Sequence, residues 1–260
     1  MTPDHIGTAY QFTVGSVLGR TFSTLFSKPV VFFIPTLVGM LPLIAVIFLL
    51  PSTFPPQAYA SILVLALLIL RQLIQGTTIY AVYQVLRGNA VSLGESVSRG
   101  IVRLATLCFA SVLIVISYIL LLFLFSIMNS FLIRLLGNMG VVLSAILCGF
   151  LFIKFTCMWS VTMPSCVVER LGATASMGRS MDLTKEHRMK IFGLVLIDLA
   201  FNALLRFIGN SIPSRFGFIG SLVALILFLS IPLTFSCVMY AIVYYDLRAV
   251  KEGVSIDDME

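Results

Sequence analysis

The sequence predicts an all-α fold: a polytopic transmembrane helical bundle of six spans arranged as three hairpins, each preceded by a cytoplasmic interfacial helix. Three observations point there. Hydrophobic residues make up 59% of the 260-residue chain and charged residues only 11%, against roughly 25% charged in a soluble domain, and the mean hydropathy is +1.07. Several apolar runs reach the ~18 residues that cross about 30 Å of hydrocarbon as a helix, which satisfies its own backbone hydrogen bonds there. The basic residues, finally, gather on one side of those runs.

The runs cover residues 30–50, 59–86, 105–128, 139–168, 190–207 and 217–245. Residues 1–28 hold no apolar core or small-residue cleavage site of signal type, so the N-terminus is expected to be retained. Breakers separate the runs pairwise: Pro51, Pro55 and Pro56; then Asn129, Arg134, Gly137 and Asn138; then Asn210, Pro213 and Ser214. Such short links make hairpins of spans 1 with 2, 3 with 4, and 5 with 6. Pro35 and Pro42 in the first span, Pro164 in the fourth and Pro232 in the sixth are expected to kink their helices.

Orientation follows from charge. Twelve basic residues (Arg20, Lys28, Arg87, Arg99, Arg103, Arg170, Arg179, Lys185, Arg188, Lys190, Arg248 and Lys251) lie on one side and three (Arg134, Arg206 and Arg215) on the other. Positive residues near span ends stay in the cytoplasm, so both termini are expected there and the protein in the cytoplasmic membrane. That face would favour anionic lipid at about 1 kcal/mol per basic residue.

The segments ahead of spans one, three and five read VGSVLGRTF around Arg20, LGESVSRGI around Arg99 and ATASMGRSM around Arg179, with the arginines 79 and 80 residues apart. The chain thus reads as one membrane domain of three repeats, 12–88, 91–170 and 172–250, with a tail at 251–260. Val14, Leu18, Phe22 and Leu25 form an apolar stripe in the first of these segments, and Leu93, Val97, Ile101 and Leu104 one in the second. Each would lie flat on the inner leaflet. Ser92 and Glu95 read as a capping box. The third segment, with Ala173, Met177 and Met181, is weaker and more charged.

The stretch TMPSCVVERLGATASMGRSMDLTKEHR resembles a signature of bacterial and archaeal membrane proteins related to the membrane domain of glycerophosphoryl diester phosphodiesterases, through Pro164, Glu169, Gly172, Arg179, Ser180, Leu183 and Thr184. VGSVLGRTFSTLFSKP is similar to that family's opening helix, and LRGNAVSLGESVSRG to its middle segment. Tyr245, Asp246, Leu247, Arg248, Lys251, Glu252 and Gly253 are similar to its closing motif. The resemblance implies a membrane domain that some relatives carry fused to a soluble phosphodiesterase barrel. That barrel has no counterpart here.

Catalysis needs a nucleophile with a base, or a ligand cluster for a metal. The two histidines, His5 and His187, have no carboxylates at ligand spacing. No intrinsic enzyme, metal or cofactor is expected. The five cysteines (Cys108, Cys148, Cys157, Cys166 and Cys237) sit in apolar segments without C-x-x-C spacing and read as small buried hydrophobes.

Charged residues at membrane depth are costly and mark either function or structure. Arg71, with Gln72 and Gln75 beside it, Lys154, and Asp198, with Asn202 a turn away, are expected to face the bundle interior. Two readings stand open: a polar pocket in which Arg71 and Lys154 attract an anion, or a structural ion pair from Asp198 to one of them. A second candidate set, Glu169, Arg179, Asp182, Lys185, Asp246, Arg248 and Glu252, reads either as a network joining the fourth-to-fifth link to the tail or as a solvated collar.

The functional expectation is a non-catalytic scaffold, accessory subunit or lipid-organising component. A small transporter or lipid-handling protein, and a membrane partner of a separate lipid phosphodiesterase, stand as alternatives. The expected partners are membrane lipid, anionic at the cytoplasmic face, and a protein partner or second copy; nucleic acid is not among them.

Overall fold

The computed structural model describes residues 12–49, 55–211 and 213–253, which are helical with no strand among them. His5, Pro51 and the acidic tail of Asp257, Asp258 and Glu260 lie outside these residues. Helix α1 (Val14–Ser27) opens on a reciprocal cap: the Thr13 hydroxyl accepts from the Ser16 amide at 3.2 Å, and the Thr13 amide donates to the Ser16 hydroxyl at 3.3 Å. It ends where Pro29 drives the preceding Lys28 out of helical geometry, and α2 (Pro29–Leu49) leaves at a bend of 80°. Then come α3 (Pro56–Leu86), α4 (Leu93–Leu136), α5 (Asn138–Trp159), α6 (Thr162–Val168), α7 (Ala173–Thr184), α8 (Arg188–Ser211) and α9 (Pro213–Glu252), the last broken at Gly217.

Among the described residues, five helical stretches are long and apolar enough to cross a membrane, and a sixth if the bent pair α1 and α2 is one span. The chain is therefore built as a multi-pass membrane protein. Helix α2 packs on α3, α4 on α5, and α8 on α9. The last third of α9 is the centre of the bundle: Val238, Met239 and the whole run 241–247 are buried. Helices α1, α2, α3, α6, α7 and α8 all pack against α9. The buried run is apolar apart from Tyr244, Tyr245 and Asp246, and the Asp246 carboxylate is met by Arg20. The outer halves of α4 and α5 do the opposite, exposing Ile119, Phe123, Phe131, Val142, Ile146 and Phe150, a surface suited to lipid.

Three boundaries differ from the sequence expectation. The segment around Arg99 is no separate flat helix but the opening of α4, a single helix of 44 residues, about 66 Å long at 1.5 Å per residue. No proline interrupts it, Ser92 caps its start, and it stops only at Gly137, whose φ of 58° suits glycine. Asn129 and Arg134 are accordingly helical and do not form the turn. Asn129 uses its side-chain carbonyl to accept from the Ser144 hydroxyl at 2.6 Å, tying α4 to α5.

The fourth apolar run is divided in two, between Trp159 and Thr162. Pro164 explains the position, because it removes the amide that would bond to the Ser160 carbonyl and its ring crowds that carbonyl. Pro35 and Pro42, by contrast, remain inside α2, and Pro232 inside the part of α9 that follows Gly217.

Close backbone contact fixes where α3 crosses α4. A Cβ placed on Gly100 would stand 2.7 Å from the Thr77 hydroxyl and 3.1 Å from the Thr77 amide nitrogen, and one on Gly76 would stand 3.2 Å from the Gly100 Cα. Small residues at a crossing let membrane helices pack through dispersion.

Candidate functional site

Helices α1, α4 and α7 share one register. Their N-caps are Thr13, Ser92 and Gly172, and the arginines Arg20, Arg99 and Arg179 are each the seventh helical residue. The fourth residues (Val17, Ser96, Ser176) and the eighth (Thr21, Gly100, Ser180) are buried in all three. The residues that follow α3, α6 and α9 also match, since Gly88, Arg170 and Gly253 all have positive φ.

Around these helices the charged side chains form a collar. The Arg179 Nε donates to both Glu169 oxygens, at 2.9 and 3.0 Å, and an Nη of Arg179 donates to Glu252. Arg248 closes on the other Glu252 oxygen at 2.7 Å, and the Tyr244 hydroxyl donates to Glu169 at 2.6 Å. One network thus joins the α6–α7 link to the end of α9. Burial works against the Arg179 charge, but the hydrogen bonds it donates to Glu252 and Glu169 outweigh it and hold the guanidinium above its ordinary value.

Four of the seven expected members, Glu169, Arg179, Arg248 and Glu252, are brought together. Asp246 joins a different contact: it lies deeper in α9 and pairs with Arg20 of α1. Asp182 takes part through its backbone carbonyl, which accepts from Lys251 Nζ at 2.6 Å, while Lys185 is exposed. Arg20, Tyr244 and Lys251 are participants that sequence reasoning did not include. The arginine repeat was a signal for Arg20, and the position of Tyr244 one turn before Arg248 was a signal for the tyrosine.

The same segment closes the end of α5. Its last carbonyls have no partner within the helix, and the Met158 carbonyl accepts from the Ser180 hydroxyl at 2.8 Å. The residues of the quoted stretch therefore divide the structural work among them. Pro164 breaks the helix, Gly172 caps the next one, and Glu169 and Arg179 supply the paired charges. Leu183 is buried as an apolar contact, Ser180 donates to the end of α5, and the Thr184 hydroxyl donates to the Ser180 carbonyl at 2.8 Å.

Of the intramembrane residues, Asp198 faces its neighbours and two others do not. Its Oδ1 accepts from Ser236 at 2.6 Å and from Asn202 at 3.0 Å, and its Oδ2 from Tyr240 at 3.3 Å. Ser236 and Tyr240 were missed; they lie one turn apart on the face of α9 that meets α8. Arg71 and Lys154 are exposed rather than interior. Lys154 lies on α5, whose buried positions are few, at Gly140, Ser144 and Cys157. Among the described residues no carboxylate stands within ion-pairing distance of either base. Gln75 is half-buried and the exposed Arg206 lies beyond the cluster. Neutral donors, not an ion pair, hold the carboxylate.

Cys157, Cys166 and Cys237 are buried, Cys108 and Cys148 half-buried, and all five are free thiols. No family model, curated protein or solved structure matches the chain.

Proposed function

We propose that the chain is a non-catalytic integral membrane protein of the cytoplasmic membrane, a scaffold that organises anionic lipid beneath its collar. In this reading six spans form three parallel repeats, with α1, the first turns of α4, and α7 at the cytoplasmic face and both termini on that side. The shared register of the three arginine helices supports the repeat, and the twelve-to-three distribution of basic residues supports the orientation.

The observation that carries the reading is the collar itself. Its arginines and carboxylates bond to one another across α6, α7 and α9, which suits holding helices together. Reconstitution tests it. Vesicles containing phosphatidylglycerol are expected to raise the midpoint of thermal unfolding by several degrees over pure phosphatidylcholine, with the gain fading as salt screens the surface. Equal midpoints at low salt would contradict a lipid-organising role.

A transporter or lipid-handling role has one observation in its favour, the Asp198 carboxylate held at membrane depth by Asn202, Ser236 and Tyr240. Partnership with a separate lipid phosphodiesterase rests on the family resemblance alone.

A further inference from the structure

Six of the eight arginines on the basic face fall into two sets of three. Arg20, Arg179 and Arg248 each meet a carboxylate. For Arg99, Arg103 and Arg170, no carboxylate among the described residues lies within ion-pairing distance. Arg103 links the segments that carry them. Arg99 and Arg103 are one turn apart on α4, so their side chains leave the same face. The Arg103 guanidinium reaches the Arg170 carbonyl at 3.4 Å, fixing α4 to the link that follows α6. Arg99 stands over the Tyr80 ring at 5.8 Å, and Glu95, the acid one turn before it, is occupied by the Tyr80 hydroxyl at 2.6 Å. Arg99 and Arg103, like charges one turn apart, repel unless an anion joins them.

A second observation, from the backbone, points the same way. Arg170 has φ 55° where the matching positions after α3 and α9 are Gly88 and Gly253. A side chain at that φ strains the backbone, and glycine would remove the strain. An arginine retained there has use for its side chain. Both Arg99 and Arg170 are exposed, at the ends of apolar helices where phospholipid headgroups lie.

We propose that Arg99, Arg103 and Arg170 form a binding site for a phospholipid whose headgroup carries two phosphates. Guanidinium forks pair with phosphates through two parallel hydrogen bonds, three of them more than offset the two negative charges of such a headgroup, and basic pockets between helices on this side of a membrane are where such headgroups bind. The proposal rests on the reading that this end of the bundle faces an anionic leaflet.

Native mass spectrometry of the protein purified in mild detergent tests it, with cardiolipin and phosphatidylglycerol added in turn. The intact protein retains cardiolipin about tenfold better than phosphatidylglycerol, and the Arg99→Gln/Arg103→Gln pair loses that preference. Arg170→Gly separates binding from folding: it weakens cardiolipin retention several-fold while raising the thermal midpoint, a combination that a purely structural arginine does not produce. Arg170→Gly also keeps the test open if the double variant fails to fold. Unchanged cardiolipin retention in these variants overturns the site, as does loss of retention in Arg170→Gly accompanied by a lower midpoint. Free pyrophosphate that displaces cardiolipin at equal concentration overturns the lipid assignment, leaving a soluble phosphate as the ligand. If the intact protein retains neither lipid, it is the broader lipid-organising reading that fails.

Discussion

Gly100→Leu is expected to prevent recovery of folded protein. The added Cβ alone would stand 2.7 Å from the Thr77 hydroxyl, 3.1 Å from the Thr77 amide nitrogen and 3.3 Å from the Leu73 carbonyl oxygen. Two of these are backbone atoms inside a helix, which cannot rotate away as a side chain tip does. Overpacking in a yielding core costs about 1–3 kcal/mol; here the helices must separate, and the rest of the α3–α4 seam, including Gly76 against Leu107, opens with them. Gly94→Ala on the same helix is the control, since its nearest neighbour is the Ser92 hydroxyl at 3.9 Å. Size-exclusion profiles and thermal melts in detergent compare the two. A Gly100→Leu protein that melts with the parent would refute the crossing.

The second large effect is expected from Arg179→Met. The substitution leaves Glu169 with only the Tyr244 hydroxyl among its collar contacts, and Glu252 with only Arg248. Breaking a buried pair by removing one partner costs about 3–5 kcal/mol. The side chains here retain 14–26% of their exposure, so about 2–3 kcal/mol is expected after solvent screening. Because the loss comes from carboxylates left uncompensated, adding Glu169→Gln to Arg179→Met is expected to recover part of it. A double-mutant cycle on thermal midpoints measures the coupling. Strict additivity of the two changes would mean that Arg179 and Glu169 do not interact.

Much of this architecture was legible because membrane solvation is a strong constraint. Long apolar runs have few structures open to them, and that is why five of the runs that hydropathy marked contain helices long and apolar enough to cross a membrane. The collar was legible for a related reason: charged residues of both signs, Glu169, Arg179, Arg248 and Glu252, recur at the ends of apolar runs. Boundaries within the runs were less so. The continuity of α4 through Asn129 and Arg134 depends on the absence of a breaker before Gly137, and single polar residues do not stop a helix. Arg71 and Lys154 show a further limit. Hydropathy reports depth along a helix but not which face a neighbour covers, so sequence alone misplaced two bases that the packing of α3 and α5 leaves exposed. Ser236 and Tyr240 were illegible as partners of Asp198 because their meeting depends on how α8 lies against α9, and no spacing within either helix encodes it.

The central claim, that the arginine helices and their collar stand together on the cytoplasmic face of a six-span bundle, is tested most directly by sidedness. In a chain whose five cysteines have been replaced, single cysteines are placed at Gln57, at the start of α3, and at Asn89, just after its end; both positions are exposed. A membrane-impermeant maleimide applied to intact cells is expected to label position 57 and to reach position 89 only after permeabilisation. Labelling of position 89 in intact cells, or equal labelling of both, would contradict the account.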